Sequence, residues 1–381
     1  MAATLSKADP IVRHTYPDGH LGWLVTDFKL GREVLADPRF SQRPLRFPVD
    51  DGGFQESLSG PESAGDLLRI DPPDHTRVRQ LQTGYFTVKR VAEHRHTVER
   101  IVAECLDVIE EHGSPADLVE LFSYPVPSMT ICELLGVGAD ERWRFEHPMA
   151  VLADFTGTTG DDKKSAMVDF YAYVREVIEQ KRAQPGDDLL SELVSSGQLT
   201  DNELAGVTFF LFAGGHHTTA TVLSLSVLFL LSERERWEAA RADLASIDLT
   251  VEELLRYVSP IRSLPRTATE DVEVGGVVIK AGESVTVHVP IPSGDPEQVD
   301  DLDRFDHTRE PIAHHGFGWG RHMCLGQHLA RLELQVELEG LMRRFPNLHL
   351  AVPVDEVPIR YYEVPGLGKD PTMVEKLLVA W

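Results

Sequence analysis

Between residues 73 and 256 apolar positions recur mostly at helical spacing, and the pattern predicts helices near 88–111, 117–135, 164–182 and 202–231. A further amphipathic helix is predicted from residue 325 to about 345. Residues 20–40 read as a short strand and then a helix that stops before Asp37-Pro38, because proline restricts the residue ahead of it and cannot continue a helix. After Arg256 the character changes. Residues 272–289 alternate around Gly275-Gly276 and Ala281-Gly282, as small β-hairpins do. Residues 41–71 are rich in Pro, Gly, Asp and Ser, have no sustained period, and read as a long loop. The expected architecture is a single, mainly α domain over 1–381, helical over 73–256 and 325–345, with a small β region near 20–40, 260–300 and the C-terminus. No internal repeat or linker interrupts it.

One apolar stretch, residues 204–231, is long enough to span a membrane. Gly214-Gly215-His216-His217-Thr218-Thr219 sits at its centre, and Asp201, Glu203 and Glu233 flank it without a basic cluster, so a buried helix is the expectation. The first 14 residues contain no apolar core of a signal peptide, which predicts a cytoplasmic chain without a membrane anchor. A formal charge of −24, from 61 acidic against 37 basic residues, argues against nucleic acid and anionic membrane as partners. Cys105, Cys132 and Cys324 are odd in number and far apart, so they form no disulfide framework and suit a reducing compartment.

The chemistry concentrates at residues 317–326, FGWGRHMCLG. Here Cys324 stands where a glycine-rich turn runs into a helix, whose free N–H groups and dipole favour a thiolate. Gly320 and Gly326 let a large flat ligand approach the backbone. On these grounds alone the thiolate could be a nucleophile, a metal ligand or an inert buried cysteine. The pattern Phe317-x-x-Gly320-x-x-x-Cys324-x-Gly326 resembles the haem-binding loop of the cytochrome P450 family. The resemblance extends from about residue 23 to 381 and rests on three more motifs in the family's order.

The first is Gly214–Thr219, which resembles the family's oxygen-binding helix motif. Two glycines in a buried helix cost about 1 kcal/mol each relative to alanine. The Thr218 hydroxyl can bond the carbonyl of Gly214, four residues back, and the segment is expected to open locally into a groove. The family's usual acid is replaced by His217, whose imidazole, titrating near ~6.5, can relay protons or can simply pack against backbone. Glu253 and Arg256 resemble the Glu-x-x-Arg motif, with Arg309 as third partner, a core-stabilising cluster. Asp71-Pro-Pro-Asp-His75-Thr-Arg77-Val-Arg79 resembles the segment that binds haem propionates, which implies His75, Arg79, Arg266 and His322 as their partners and a solvated role for Arg77. A departure lies at Pro292-Ser293-Gly294-Asp295-Pro296, where the family commonly has Ala-Asn-Arg-Asp-Pro.

The resemblance implies haem b between the central helix and the helix after Cys324, with Cys324 as the iron ligand and Phe317, Gly326, Gly214 and Gly215 against the macrocycle. It implies a monomeric bacterial monooxygenase that hydroxylates or epoxidises a small organic molecule with O2, supplied with electrons by ferredoxin and its reductase. A peroxygenase, or a haem sensor or scaffold without catalysis, are the alternatives. Lys89, Arg90, Arg95, Arg321, Arg331, Arg343 and Arg344 are expected to gather as a basic docking patch on the cysteine side. The substrate class is not encoded in any motif, although Arg262 falls among the expected pocket residues.

Overall fold

The computed structural model describes residues 10–381 except 17, 44–59, 155–156, 290–291, 300 and 365–367. Much of the loop expected over 41–71 therefore lies outside the described residues.

The N-terminal strands and two from after Arg256 form a five-stranded sheet, in the order β1 (Ile11–Thr15), β2 (Leu21–Val25), β8 (Ser284–His288), β5 (Ser263–Ala268) and β3 (Phe40–Ser41). Only the β2–β8 pair is parallel. Helix α1 (Phe28–Ala36) covers it, capped by Asp27, whose Oδ1 accepts the Leu30 N–H at 2.8 Å. Val34 and Leu35 of α1 join Trp23, Val25, Val285 and Val287 in a small separate core. The expected hairpin segment supplies β6 (Val272–Val274) and β7 (Val277–Ile279), joined through Gly275 and Gly276, both at positive φ.

The helical part starts at α2 (Asp74–Thr83). The helix expected over 88–111 is two: α3 (Val88–Glu93) and α4 (Arg95–His112). The break is at His94, whose ψ of −4° departs from the α value and whose N–H closes a tighter bond to Val91. The helix expected over 117–135 is in two parts, a π-helical stretch (Val119–Ser123) and α5 (Pro125–Leu135). Ahead of them, β4 (Ala116–Asp117) is claimed by a strand near the C-terminus, β12 (Leu378–Ala380), which also pairs with β9 (His349–Leu350). Pairing across some 260 residues outweighs local helical period here. Periodicity missed α6 (Trp143–Ala153). Next come α7 (Gly160–Ala183) and α8 (Leu189–Ser196).

The central helix α9 (Asp201–Leu231) begins at a capping box in which Thr200 and Glu203 satisfy each other's backbone N–H. Twenty of its 31 residues are buried, which explains its apolar composition without a bilayer. No helix among the described residues is long and apolar enough to cross a membrane. α10 (Arg234–Ala242) and α11 (Ile247–Tyr257) follow, and α12 (Gln327–Arg344) packs against both α9 and α11. The hairpin of β10 (Ile359–Val364) and β11 (Gly368–Val374) lies on α9.

Candidate active site

The loop from Phe317 to Gly326 is shaped by glycine. Gly318 and Gly320 have φ of +70° and +73°, and a Cβ at Gly320 would sit 2.5 Å from the Leu35 carbonyl oxygen of α1. Arg32 of α1 lies 3.4 Å over the Trp319 ring, which holds the loop from outside. From the other side Arg331 of α12 stacks on Phe317 and pairs with Glu252, which His314 also approaches. The sequence reading passed over Glu252, hidden beside the motif residue Glu253; only packing distinguishes the two.

Cys324 is held by its N–H donating to Phe317 O at 2.9 Å. The expectation that the helix start would favour a thiolate is incomplete. Burial pushes the thiol up, and the Gly326 N–H, Arg79 and Arg331 pull it down without cancelling that effect. Among the described residues no group of three or more His, Cys, Asp or Glu is placed to hold a metal, so Cys324 stands alone as a soft donor. A planar macrocycle that carries its own equatorial nitrogens fits such a donor.

Around this loop the structure gathers His75, Arg79, Arg266 and His322. Arg79 Nη2 donates to Met323 O at 2.7 Å. The rings of His75 and His322 are 4.2 Å apart. Burial pushes His75 down to about 4, helped by Arg79 and Arg321. Burial likewise pushes His322 down to about 2, helped by His75, Arg266 and Arg321. Arg321, left out of the propionate set by the sequence reading, thus belongs to the same cluster. His75 Nε2 is buried without a hydrogen-bond partner among the described residues, and the buried His322 ring approaches the Leu67 backbone. Asp71, bonded to Ser41 Oγ at 2.5 Å, is the carboxylate that offsets Arg266. Two propionates would satisfy this excess of donors, so the residues present fit haem. Arg77 stays outside, paired with Glu203.

On α9 the Thr218 hydroxyl donates to Gly214 O at 2.5 Å. The expected local opening is absent, because the helix runs unbroken through the motif. A side-chain bond to a carbonyl four residues back adds to the helical bond there without displacing it. Room is made by glycine instead: a Cβ at Gly214 meets nothing within 4 Å, whereas one at Gly215 would touch Ile131 at 3.2 Å. Open space likewise surrounds Gly326. The surroundings of His217 shift it away from the expected titration near neutrality. Burial pushes it down to about 4, with a bond to the Met149 backbone opposing, so the ring is neutral at pH 7. His217 lines a cleft of about 590 Å³ with His216, Tyr124, Arg142, Glu146 and Arg360.

Glu253 receives Arg256 in a two-point contact, Nε–Oε2 and Nη2–Oε1 both 2.8 Å, and Arg309 Nε at 3.1 Å. Arg256 also donates to the carbonyls of Ser293, Leu302 and Arg304. At the departure from the family pattern, Ser293 N–H donates to Arg256 O at 3.0 Å and its Oγ accepts the His315 N–H at 3.0 Å. A serine therefore ties this turn to the Glu253 cluster and to the cysteine loop.

With this geometry in view, the relatives agree. Residues 131–359 match the Cytochrome P450 family. Cytochrome P450 105C1 of a Streptomyces species is 40% identical over 383 residues, covering 100% of this chain and 94% of that protein. The chain belongs to the cytochrome P450 family. Nocardicin C N-oxygenase of Nocardia uniformis subsp. tsuyamanensis is 40% identical over 366 residues, 94% of this P450 and 90% of the relative. The crystal structure of CYP105P1 in complex with filipin I superposes with a TM-score of 0.88 at 36% identity, covering 100% of this chain and 94% of that one. The fold is the bacterial P450 fold, the cofactor is haem, and the protein is an oxidoreductase of the P450 monooxygenase class.

Proposed function

We propose that this P450 hydroxylates or epoxidises a small molecule of bacterial secondary metabolism, with ferredoxin as electron donor. The carrying observation is the convergence of His75, Arg79, Arg266 and His322 on the backbone around Cys324. Haem bound there supplies the activation of O2 for transfer of one oxygen atom to substrate. Cys324 would hold the iron from one side, and the four cationic or imidazole groups would hold the propionates. Gly214 and Gly326 leave the backbone open to the ring. Thr218 keeps a hydroxyl proton at Oγ1, bonded to Gly214 O, from which it can turn toward the reacting oxygen. His217, neutral and one residue before it, faces the cleft and can pass a proton between cleft and helix. Relatives named Nocardicin C N-oxygenase and Pentalenic acid synthase support the assignment to secondary metabolism.

The reduced protein with carbon monoxide is expected to show the long-wavelength Soret band of thiolate ligation. Cys324→Ser should lose that band, and its persistence would refute the ligand assignment. Product formation that depends on NAD(P)H, ferredoxin and reductase separates this reading from a peroxygenase.

A further inference from the structure

The chain enters the cysteine loop through His315, and the structure fixes that residue from three directions. The His315 ring, 1% exposed, stacks on Phe28 of α1 at 4.2 Å with only 16° between the planes. Gly31 of α1 permits this approach, since a Cβ there would sit 3.2 Å from the ring. Burial, helped by Arg32 and His314, pushes the imidazole down to about 4, so the ring is a neutral plate. The His315 carbonyl accepts the Gly318 N–H at 2.8 Å and closes the turn that contains Phe317, whose own carbonyl receives the Cys324 N–H. The third direction is the His315 N–H, which donates to Ser293 Oγ at 3.0 Å.

Ser293 is itself held firmly. It is fully buried, and its N–H donates to Arg256 O at 3.0 Å, a carbonyl left open at the C-terminal end of α11. Its carbonyl accepts from Arg256 Nη1 at 3.4 Å, and Arg256 is clamped on Glu253. The loop lies directly against this helix end, because a Cβ at Gly316 would sit 2.8 Å from Leu255 O. The Ser293 hydroxyl therefore carries the rigid Glu253–Arg256 pair one step further, to the backbone from which the cysteine loop departs. An alanine in its place would leave the buried His315 N–H without this acceptor.

We infer that Ser293 is a positioning residue for Cys324, acting through the backbone of His315 and Phe317 to seat the sulfur as an axial ligand. This inference rests on the assignment of Cys324 as the iron ligand. Groups that orient a metal ligand from behind are worth on the order of 10–100-fold in metal affinity or activity when they are lost.

The test compares holoprotein of the wild type, Ser293→Ala, Ser293→Thr and Leu193→Ala, the last a truncation in the buried face of α8 that reports what a general loss of stability does. The first readout is the lifetime of the long-wavelength Soret band of the reduced carbon monoxide complex in a fixed, mild concentration of guanidinium. The second is amide hydrogen exchange over residues 315–324. Ser293→Ala is expected to shorten the lifetime severalfold and to speed exchange in the loop, while exchange in β6 and β7 stays as in the wild type. Ser293→Thr keeps the acceptor and should restore most of the lifetime. A lifetime and loop exchange in Ser293→Ala equal to the wild type would overturn the inference. So would a Leu193→Ala variant that shortens the lifetime as much for the same fall in melting temperature, which marks a purely structural role. If Ser293→Ala does not fold, Ser293→Thr is set against Ser293→Val, which has the same shape and no hydroxyl, and equal lifetimes in that pair overturn it. A wild type that never shows the band would sink the Cys324 assignment, and loop exchange would then still judge Ser293 by itself.

Discussion

At the scale of single residues, the proposed proton path rests on Thr218 and His217, which stand where an alcohol and an acid are common. Thr218 has its hydroxyl on the helix carbonyl, and His217 is a neutral ring whose Nε2 lacks a partner among the described residues. Thr218→Ala is expected to raise the share of reducing equivalents recovered as hydrogen peroxide, because a positioned proton-transfer group is lost. His217→Phe keeps the cleft filled and should give a smaller loss of coupling. That loss should be flat between pH 6 and 8, because a histidine pushed down to about 4 does not change charge there. Should His217→Phe couple NADPH use to product as well as wild type at every pH, the ring only packs. The two histidines of the motif were visible from the start; their charge state was not, because it depends on neighbours from α5 and α6.

At the scale of elements, α12 does more than follow the cysteine. Glu333 and Glu337 lie four apart on its buried face, at 2% and 0% exposure. Burial raises Glu333 to about 8 against bonds from Thr130 and Thr219. Glu337 is raised well above its ordinary value by burial and by Glu333, and neither of its oxygens has a partner among the described residues. Between about pH 4.5 and 8 the folded protein keeps the Glu333 proton that the unfolded chain releases. Stability is therefore full below that window and lost as pH rises through it, at up to about 1.4 kcal/mol per pH unit for the Glu333 carboxyl. Glu333→Gln and Glu337→Gln are each expected to flatten the fall in melting temperature between pH 5.5 and 8. An unchanged slope in both would show that the carboxyls are ionised and paired in solution. Amphipathic period marked the helix correctly, yet it cannot tell that its acidic positions face inward.

At the scale of the whole molecule, a body of charge −24 has to accept an electron carrier. The basic patch expected on the cysteine side is largely neutralised by local pairing. Arg344 bonds Asp107 and Glu110, Arg331 pairs with Glu252, Arg90 with Glu93, and Arg95 with Glu99. Lys89, exposed and without an ion pair among the described residues, and Arg343, 65% exposed and 3.9 Å from Glu339, keep their charge available. α3, which carries Lys89, packs on α12, which carries Arg343. Contacts within ~8 Å dominate docking at physiological salt, so these two should matter more than the paired arginines. Lys89→Glu with Arg343→Glu is expected to slow first-electron transfer from ferredoxin at least threefold and weaken its salt dependence, leaving substrate binding spectra intact. Equal rates in the variant and wild type would place docking elsewhere.

What the sequence by itself determined is the chemistry carried by short spacings: the Cys324 loop, the His75 and Arg79 pair, Glu253 with Arg256, and the glycines beside Thr218. These can be read because residues three to ten apart on a turn or helix meet whatever the rest of the chain does. The amphipathic helices were readable for the same local reason. Tertiary structure alone decided that β12 takes Asp117 out of the expected helix, that Arg344 is silenced by Asp107 across 237 residues, and that burial holds His217 neutral. It also decided that the Ser293 hydroxyl meets the His315 N–H. Desolvation and pairing depend on neighbours brought from distant parts of the chain, and no local pattern encodes them.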